Sequence, residues 1–293
     1  MSDAVTLSNA LAAAVDAIAP AVVRIAGESH RATGLTWGDD LVVAASDTID
    51  EEGAIQVVDT DGRETAAEVA GRDPALGIVV LRAPGLGRAR PAAADHAALR
   101  IGHLVVAVAR PGKSARATFG MIGTLGDAWR TRGGARIDRY IDTSLVLPSE
   151  FGGAVIVDAQ ARLVGLGVPG GRRRRGVIVP ATTLERAVGA VLSGKSERRG
   201  YLGVATYPAR LPQAAGQDRG LLVVDVEDDS PAARAGLALG DVILTMGGEH
   251  IEQLSDLFGA LADAGAGGAV SAHILRAGKP IDLSITVGTR TQG

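Results

Sequence analysis

Cysteine is absent from this chain of 293 residues, which excludes disulfides, thiol catalysis and thiolate-held metals. Aromatic residues are scarce, at 3%, so the core has to be built from Val, Leu, Ile and Ala. Flat stacking surfaces for bases or sugars are correspondingly few. No uninterrupted apolar run reaches the roughly 18 residues of a membrane helix, and Met1 to Pro20 has an acidic, interrupted start rather than a basic region followed by an apolar one. These features predict no membrane span and a cytoplasmic location. A strong charge of either sign is also missing. The net charge of −3 does not advertise nucleic-acid binding. The five histidines are dispersed with no short-spaced pair, so neither a metal site nor a cofactor is expected.

What is present is 46% hydrophobic residues over a length sufficient for two cored domains. Leu7, Leu11, Val15 and Ile18 lie at helical spacing, and Pro20 ends that helix. From Val22 to about Val179 the pattern changes to short apolar runs such as VVRIA, GIVVLRA, LVVAVA and AVIVD, separated by Gly, Pro, Asp and Arg. Such runs predict a β-rich barrel or sandwich. Thr182 to Leu192 returns to helical periodicity, and the small, charged stretch SGKSERR (193–199) reads as a domain boundary. Beyond it, short strands alternate with two helices, one at AARAGL and one at about Gln253–Ala264, which predicts a compact α+β unit. Charge divides at the same place. Residues 201–293 hold 6 Lys/Arg against 11 Asp/Glu, whereas residues 1–200 hold 24 against 22.

The order of several motifs resembles the HtrA (DegP/DegQ-like) branch of the trypsin-like serine proteases. Ala19-Pro20-Ala21-Val22-Val23-Arg24-Ile25 is similar to the entry into the family's first barrel, and Ala98-Leu99-Arg100-Ile101-Gly102 with VVAVARPG is similar to its LRVGDWVVAIGNPFG stretch. LPSEFGGA (147–154) resembles the NPGNSGGP loop that carries the nucleophile. The C-terminal series RGYLGV, SPAARAGLALGDVILTMGGEHI and ILRAGKPIDLSITV follows the PDZ pattern. The resemblance implies a mainly β chain: an N-terminal helical segment (1–19), a trypsin-like double β-barrel (20–192), a linker (193–199) and an α+β PDZ domain (200–293).

Carrying the family's catalytic triad over position by position puts Asp47 at the histidine, Gly77 at the aspartate and Phe151 at the serine. A phenyl ring cannot attack a carbonyl. An exposed carboxylate is a weak base toward a hydroxyl at neutral pH, and glycine offers no orienting group. In the oxyanion loop the family's Gly-Asn becomes Ser149-Glu150, which adds negative charge where negative charge has to be stabilised. These residues predict a chain that is not an enzyme, a degenerate member acting as scaffold, adaptor or chaperone, with Phe151 packed into the former cleft. The alternative is a serine endopeptidase with a non-standard nucleophile such as Ser149. Ser46 and Ser144 are the other candidate hydroxyls, and His30, His96 and His103 the only imidazoles of this domain.

In the C-terminal domain the resemblance implies capture of protein or peptide C-termini. The loop Tyr201-Leu202-Gly203-Val204 would receive the carboxylate on backbone N–H groups, and Leu202, Val204, Leu257 and Leu261 would line a pocket for the last side chain. Arg172, Arg173, Arg174 and Arg175 form a run that is either a solvated loop or an anion site. A homo-oligomer stays open. The aromatic residues through which HtrA proteins form trimers are missing from Met1 to Val15.

Overall fold

A computed structural model describes residues 3–27, 31–38, 40–49, 54–147, 151–169, 176–194, 199–211 and 217–290. The chain divides into two compact units, one of residues 1–129 and 137–193 and the other of residues 130–136 and 194–293.

The first unit opens with helix α1 (Asp3–Ile18), which continues through a 3-10 turn at Ala19–Ala21. This corrects the expectation that no segment has the length and apolarity of a membrane helix. Asp3–Ala21 spans 19 residues with a mean hydropathy of 1.4, because its alanines are apolar enough to bridge the gaps between larger side chains. By length and composition alone it qualifies. Only Ala14 and Ile18 of α1 are buried.

Six strands then close a barrel in the order β1-β2-β3-β6-β5-β4. They are β1 (Val22–Ala26), β2 (Arg31–Thr36), β3 (Leu41–Ala45), β4 (Ile55–Val58), β5 (Glu64–Asp73) and β6 (Ile78–Arg82). Closure removes the exposed edges of a sheet, and the interior is filled by small branched residues including Val23, Ile25, Val42, Val57, Val79 and Leu81. The second half contains β7 (Leu104–Ala109), β8 (Arg116–Gly126), the short pair β9 (Trp129–Arg130) and β10 (Arg136–Ile137), then β11 (Tyr140–Thr143), β12 (Val155–Asp158), β13 (Leu163–Val168) and β14 (Val177–Pro180). Its six-stranded sheet runs β11-β8-β7-β12-β13-β14 and curls in a barrel-like way around Val105, Ala107, Ile122, Ile156 and Val164. Helix α2 (Ala181–Leu192) follows and buries Leu184, Ala187, Val188 and Val191 on one face.

The second unit pairs β15 (Arg199–Tyr201) with a late strand, β22 (Gly288–Arg290), and builds a larger sheet in the order β16-β17-β18-β20-β21. These strands are β16 (Val204–Arg210), β17 (Arg219–Val226), β18 (Val242–Met246), β20 (Ala269–Arg276) and β21 (Lys279–Thr286), with β19 (Glu249–His250) paired to β18. Helix α3 (Pro231–Arg234) is one turn long, started by the Ser230 side chain accepting from the Ala233 N–H and by Pro231 in the first turn. Helix α4 (Leu254–Ala264) begins in a reciprocal cap between Gln253 and Asp256. Leu221, Ile243, Met246, Leu257, Leu261 and Ile274 form this unit's own core. Residues 130–136 join this unit, where Arg130 pairs with Asp263 at 2.7 Å.

Candidate functional site

In the first unit, the residues that the resemblance aligns with the family's triad lie on turns and loops of its two sheets. Asp47 sits in a single 3-10 turn, Ser46–Thr48, at the end of β3, and the Ser46 N–H donates to the Gly77 carbonyl at 2.8 Å. Gly77 closes the turn before β6 with φ +70°, a conformation that glycine adopts without steric cost. A Cβ there would lie 2.9 Å from Val168 Cγ1, so this turn touches the end of β13. On the opposite wall, a Cβ on Gly153 would lie 2.6 Å from the Thr33 carbonyl oxygen and 3.6 Å from the Ala45 nitrogen. The loop holding Phe151 therefore abuts the strand leading to Asp47.

The electrostatics at Asp47 are set mainly by burial. Desolvation holds its carboxyl above the ordinary value although the side chain keeps access to water, and its own backbone N–H opposes that shift. Arg72 ties the turn down from outside the cleft by donating to the Ser46 hydroxyl at 3.3 Å and to the Ile49 carbonyl at 3.4 Å. Phe151 is 8% exposed and belongs to the apolar cluster of the second barrel with Ile156, Val164 and Ile178. Leu145 and Leu147 pack against the same cluster. Ser149 and Glu150 lie outside the described residues, as do His30 and the whole run Arg172, Arg173, Arg174 and Arg175. Of the other candidates, Ser144 accepts from the Met121 N–H at 2.9 Å on the face of the second sheet. His103 bonds to Arg100, and neither contact brings an imidazole to Ser46 or Asp47. Among the described residues there is no group of acidic and histidine side chains suited to a metal.

In the second unit the loop 201–204 has unspent hydrogen-bonding capacity. The Leu202 carbonyl accepts from Ala232 N–H at 3.0 Å and the Gly203 carbonyl from Glu227 N–H at 2.9 Å. Among the described residues, the N–H groups of Leu202 and Gly203 have no backbone partner. Gly203 takes φ +77°, and a Cβ there would run into Ser230, so this loop can lie close to α3 only as glycine. The Tyr201 hydroxyl bonds to Glu227. Beside the loop, β16 ends the sheet order, and among the described residues nothing pairs with its outer edge.

The expected pocket lining changes here. Leu202, Leu257 and Leu261 are 2–3% exposed and belong to the core of this unit, Leu202 from the loop before β16 and Leu257 and Leu261 from the buried face of α4. The apolar side chains that α4 leaves available are Leu254 and Phe258, at 44% and 40% exposure. Sequence periodicity ranks them with the core, and only the rotation of the helix on the sheet separates them. Val204 stays partly buried against the core.

Residues 32–166 match the trypsin-like peptidase domain family and residues 200–287 the PDZ domain family. A DegP-like probable periplasmic serine endoprotease of Brucella suis is 28% identical over 261 residues, covering 85% of this chain and 50% of the relative. The periplasmic serine endoprotease DegP of Salmonella typhimurium is 27% identical over 86% of this chain and 55% of its own length. The chain thus spans about half the length of the curated relatives it matches. Among solved structures, the HtrA-type protease AlgW with a tripeptide superposes with a TM-score of 0.78 at 27% identity, covering 97% of this chain and 98% of that one. A serine endoprotease from Yersinia pestis, at 22% identity and a TM-score of 0.76, shares the fold.

The class is therefore a trypsin-like peptidase domain followed by a PDZ domain. Within that class, this chain belongs to the HtrA family. Two expectations are overturned by these comparisons. The chain was expected not to be an enzyme, whereas its relatives are named serine endoproteases. It was expected in the cytoplasm, whereas those relatives are named periplasmic, and the apolar α1 is compatible with a signal sequence.

Proposed function

We propose that this chain is an HtrA-type serine endopeptidase that works outside the cytoplasm and takes peptide C-termini in its PDZ domain. The observation that carries the binding part is the pair of unspent N–H groups at Leu202 and Gly203 beside the open edge of β16. Two adjacent amide donors are what a terminal carboxylate needs, and an unpaired edge is what an extended peptide needs to add as a strand. The names of the relatives support the hydrolytic part. With Asp47, Gly77 and Phe151 at the family's triad positions, hydrolysis in this chain has to use another hydroxyl. Ser149, two residues before Phe151, is the candidate nearest along the chain to the serine position.

Cleavage of unfolded casein by the purified chain, together with labelling by a fluorophosphonate, tests the hydrolytic part. Both signals are expected to disappear in Ser149→Ala and to persist in Ser144→Ala. Casein left intact and no labelling of the native chain would overturn it. Peptide capture is tested separately: a fluorescent peptide with a free C-terminal carboxylate is expected to bind at least tenfold more tightly than its C-terminal amide. Cell fractionation that recovers the full-length protein with cytoplasmic markers would overturn the location.

A further inference from the structure

We propose that the cavity between the end of α1 and the segment 87–92 is a second peptide site, which takes an internal stretch of extended polypeptide with small side chains. It stands apart from the C-terminal peptide reading above, since nothing in it calls for a terminal carboxylate.

The cavity lies within the first unit and has a volume of about 450 Å³. Ordinary ligand sites span about 300–1,000 Å³. Ala17, Ile18, Pro20 and Ala21 line one side, the segment from Gly87 to Ala92 lines the other, and Ala161 also borders it. The two sides differ in what their backbones offer. A helix leaves its last carbonyls without partners inside the helix. Here Pro20 has no N–H to give to the Asp16 carbonyl, and the 3-10 turn Ala19–Ala21 draws the Val22 N–H to the Ala19 carbonyl rather than to Ile18. No basic side chain stands in the last turn of α1 to offset the negative end of its dipole. This side is a wall of acceptors.

The facing segment is the reverse. It forms neither helix nor strand, and two of its carbonyls are spent on neighbouring strands. The Ala89 carbonyl accepts from the Thr36 hydroxyl of β2 at 2.9 Å, and the Ala92 carbonyl from the Leu163 N–H of β13 at 2.7 Å. Among the described residues, the N–H groups of Arg88, Ala89 and Arg90 have no hydrogen-bond partner. This side is a wall of donors.

The two arginines do not make the cavity an anion site. Arg88 pairs with Asp59 at 2.9 Å and with Asp61. Arg90 is held by both oxygens of Glu185, at 3.0 Å and 2.9 Å, and lies 4.0 Å over the ring of Trp37. Their charges are thus matched by carboxylates of the same unit. Apart from Ile18, the rest of the lining is alanine, glycine and proline, whose short side chains let another backbone come close. An anion would meet the helix carbonyls, and a cation would meet the N–H groups. A polypeptide carries one donor and one acceptor on nearly every residue, and so satisfies both walls at once.

The test uses the full chain, α1 included, and a capped probe, N-acetyl-Ala-Gly-Ala-Val-Ala-Gly-amide, which has no carboxylate for the loop 201–204. Amide hydrogen exchange at Arg88, Ala89 and Arg90, read by NMR, is expected to slow about fivefold at saturating probe, the worth of one backbone hydrogen bond at each amide. Ala92→Trp sets an indole in the lining and is expected to abolish that slowing. Ala89→Pro removes one donor and is expected to weaken probe binding about fivefold. Ala89 and Ala92 are both exposed, so both variants are expected to keep the native unfolding midpoint in circular dichroism. Exchange at the three amides that the probe leaves unchanged overturns the proposal. So does slowing that survives in Ala92→Trp, which places the probe elsewhere. Slowing that vanishes once a peptide with a free C-terminal carboxylate saturates the second unit means that there is a single peptide site; it overturns the proposal and leaves the C-terminal reading intact. Acetate that slows the same amides as much as the probe assigns the donors to an anion and overturns the peptide class.

Discussion

At Gly77 the left-handed φ of +70° and the nearness of Val168 make the turn a glycine turn. Gly77→Asp is expected to lower unfolding stability by about 1–3 kcal/mol in urea titration, from backbone strain and the close approach to Val168. Phe151 is the opposite case, a residue whose side chain is used for packing. Phe151→Ala is expected to cost about 3–5 kcal/mol by the same measurement, as its cavity opens beside Ile156 and Val164. His96 supplies a pH dependence. Both its ring nitrogens are buried. Desolvation is the main cause that pushes its imidazole below the ordinary value, with the Val164 backbone, Asp138 and Asp95 opposing and Arg139 assisting. The unfolded chain takes up that proton near pH 6.5 while the folded chain resists it. Stability from this residue is therefore complete above about pH 6.5 and falls as pH drops below it, by up to about 1.4 kcal/mol per pH unit. A pH series of urea titrations on His96→Phe is expected to show a shallower acid slope than the native chain.

Helix α4 carries two faces with different duties. Leu257 and Leu261 hold it to the core, while Leu254 and Phe258 stay 44% and 40% exposed, with Gly134 of the segment 130–136 lying against Phe258. Leu257→Ala is expected to lower stability by about 2–5 kcal/mol, whereas Phe258→Ser is expected to change stability little and to weaken peptide binding severalfold. Binding lost equally in both variants at matched folded fraction would remove the groove assignment to the outward face. The existence of α4 was legible in the sequence as a helix at about Gln253–Ala264. Its rotation was not. Four apolar residues at 254, 257, 258 and 261 fit one broad stripe, and only contact with the strands shows which half of that stripe is buried. Likewise GYLGV was legible as a binding-loop motif, but the free N–H groups follow from Ala232 and Glu227 occupying the loop's carbonyls.

At the scale of the whole molecule, the −5 charge of residues 201–293 and the linker composition predict a separable domain, and the unit of residues 130–136 and 194–293 contains a hydrophobic cluster of its own. One detail departs from the sequence division, since residues 130–136 associate with the second unit. Arg130 and Asp263 form a surface pair with Asp263 63% exposed, and such pairs contribute about 0–1 kcal/mol. A fragment of residues 200–293 is therefore expected to fold cooperatively without residues 130–136, as circular dichroism during thermal unfolding would show. A fragment with no cooperative transition would mean that 130–136 is part of its minimal core. Asp241 anchors that fragment internally. It is 1% exposed and is held by Arg276 at 2.7 Å and 2.8 Å and by Ala238 N–H at 2.8 Å. Burial alone would raise its carboxyl, and those bonds outweigh it and hold the carboxyl low.

The order of short apolar runs and the LPSEFGGA and GYLGV motifs were enough to point to the family and to a mainly β chain ending in a PDZ domain, because these are properties of identity and order along the chain. Whether Phe151 faces the cleft or the core, which leucines of α4 are available and which edge of β16 is open were decided by tertiary structure alone. Each depends on what lies on the far side of a residue, and that neighbour comes from a strand or helix distant in the sequence.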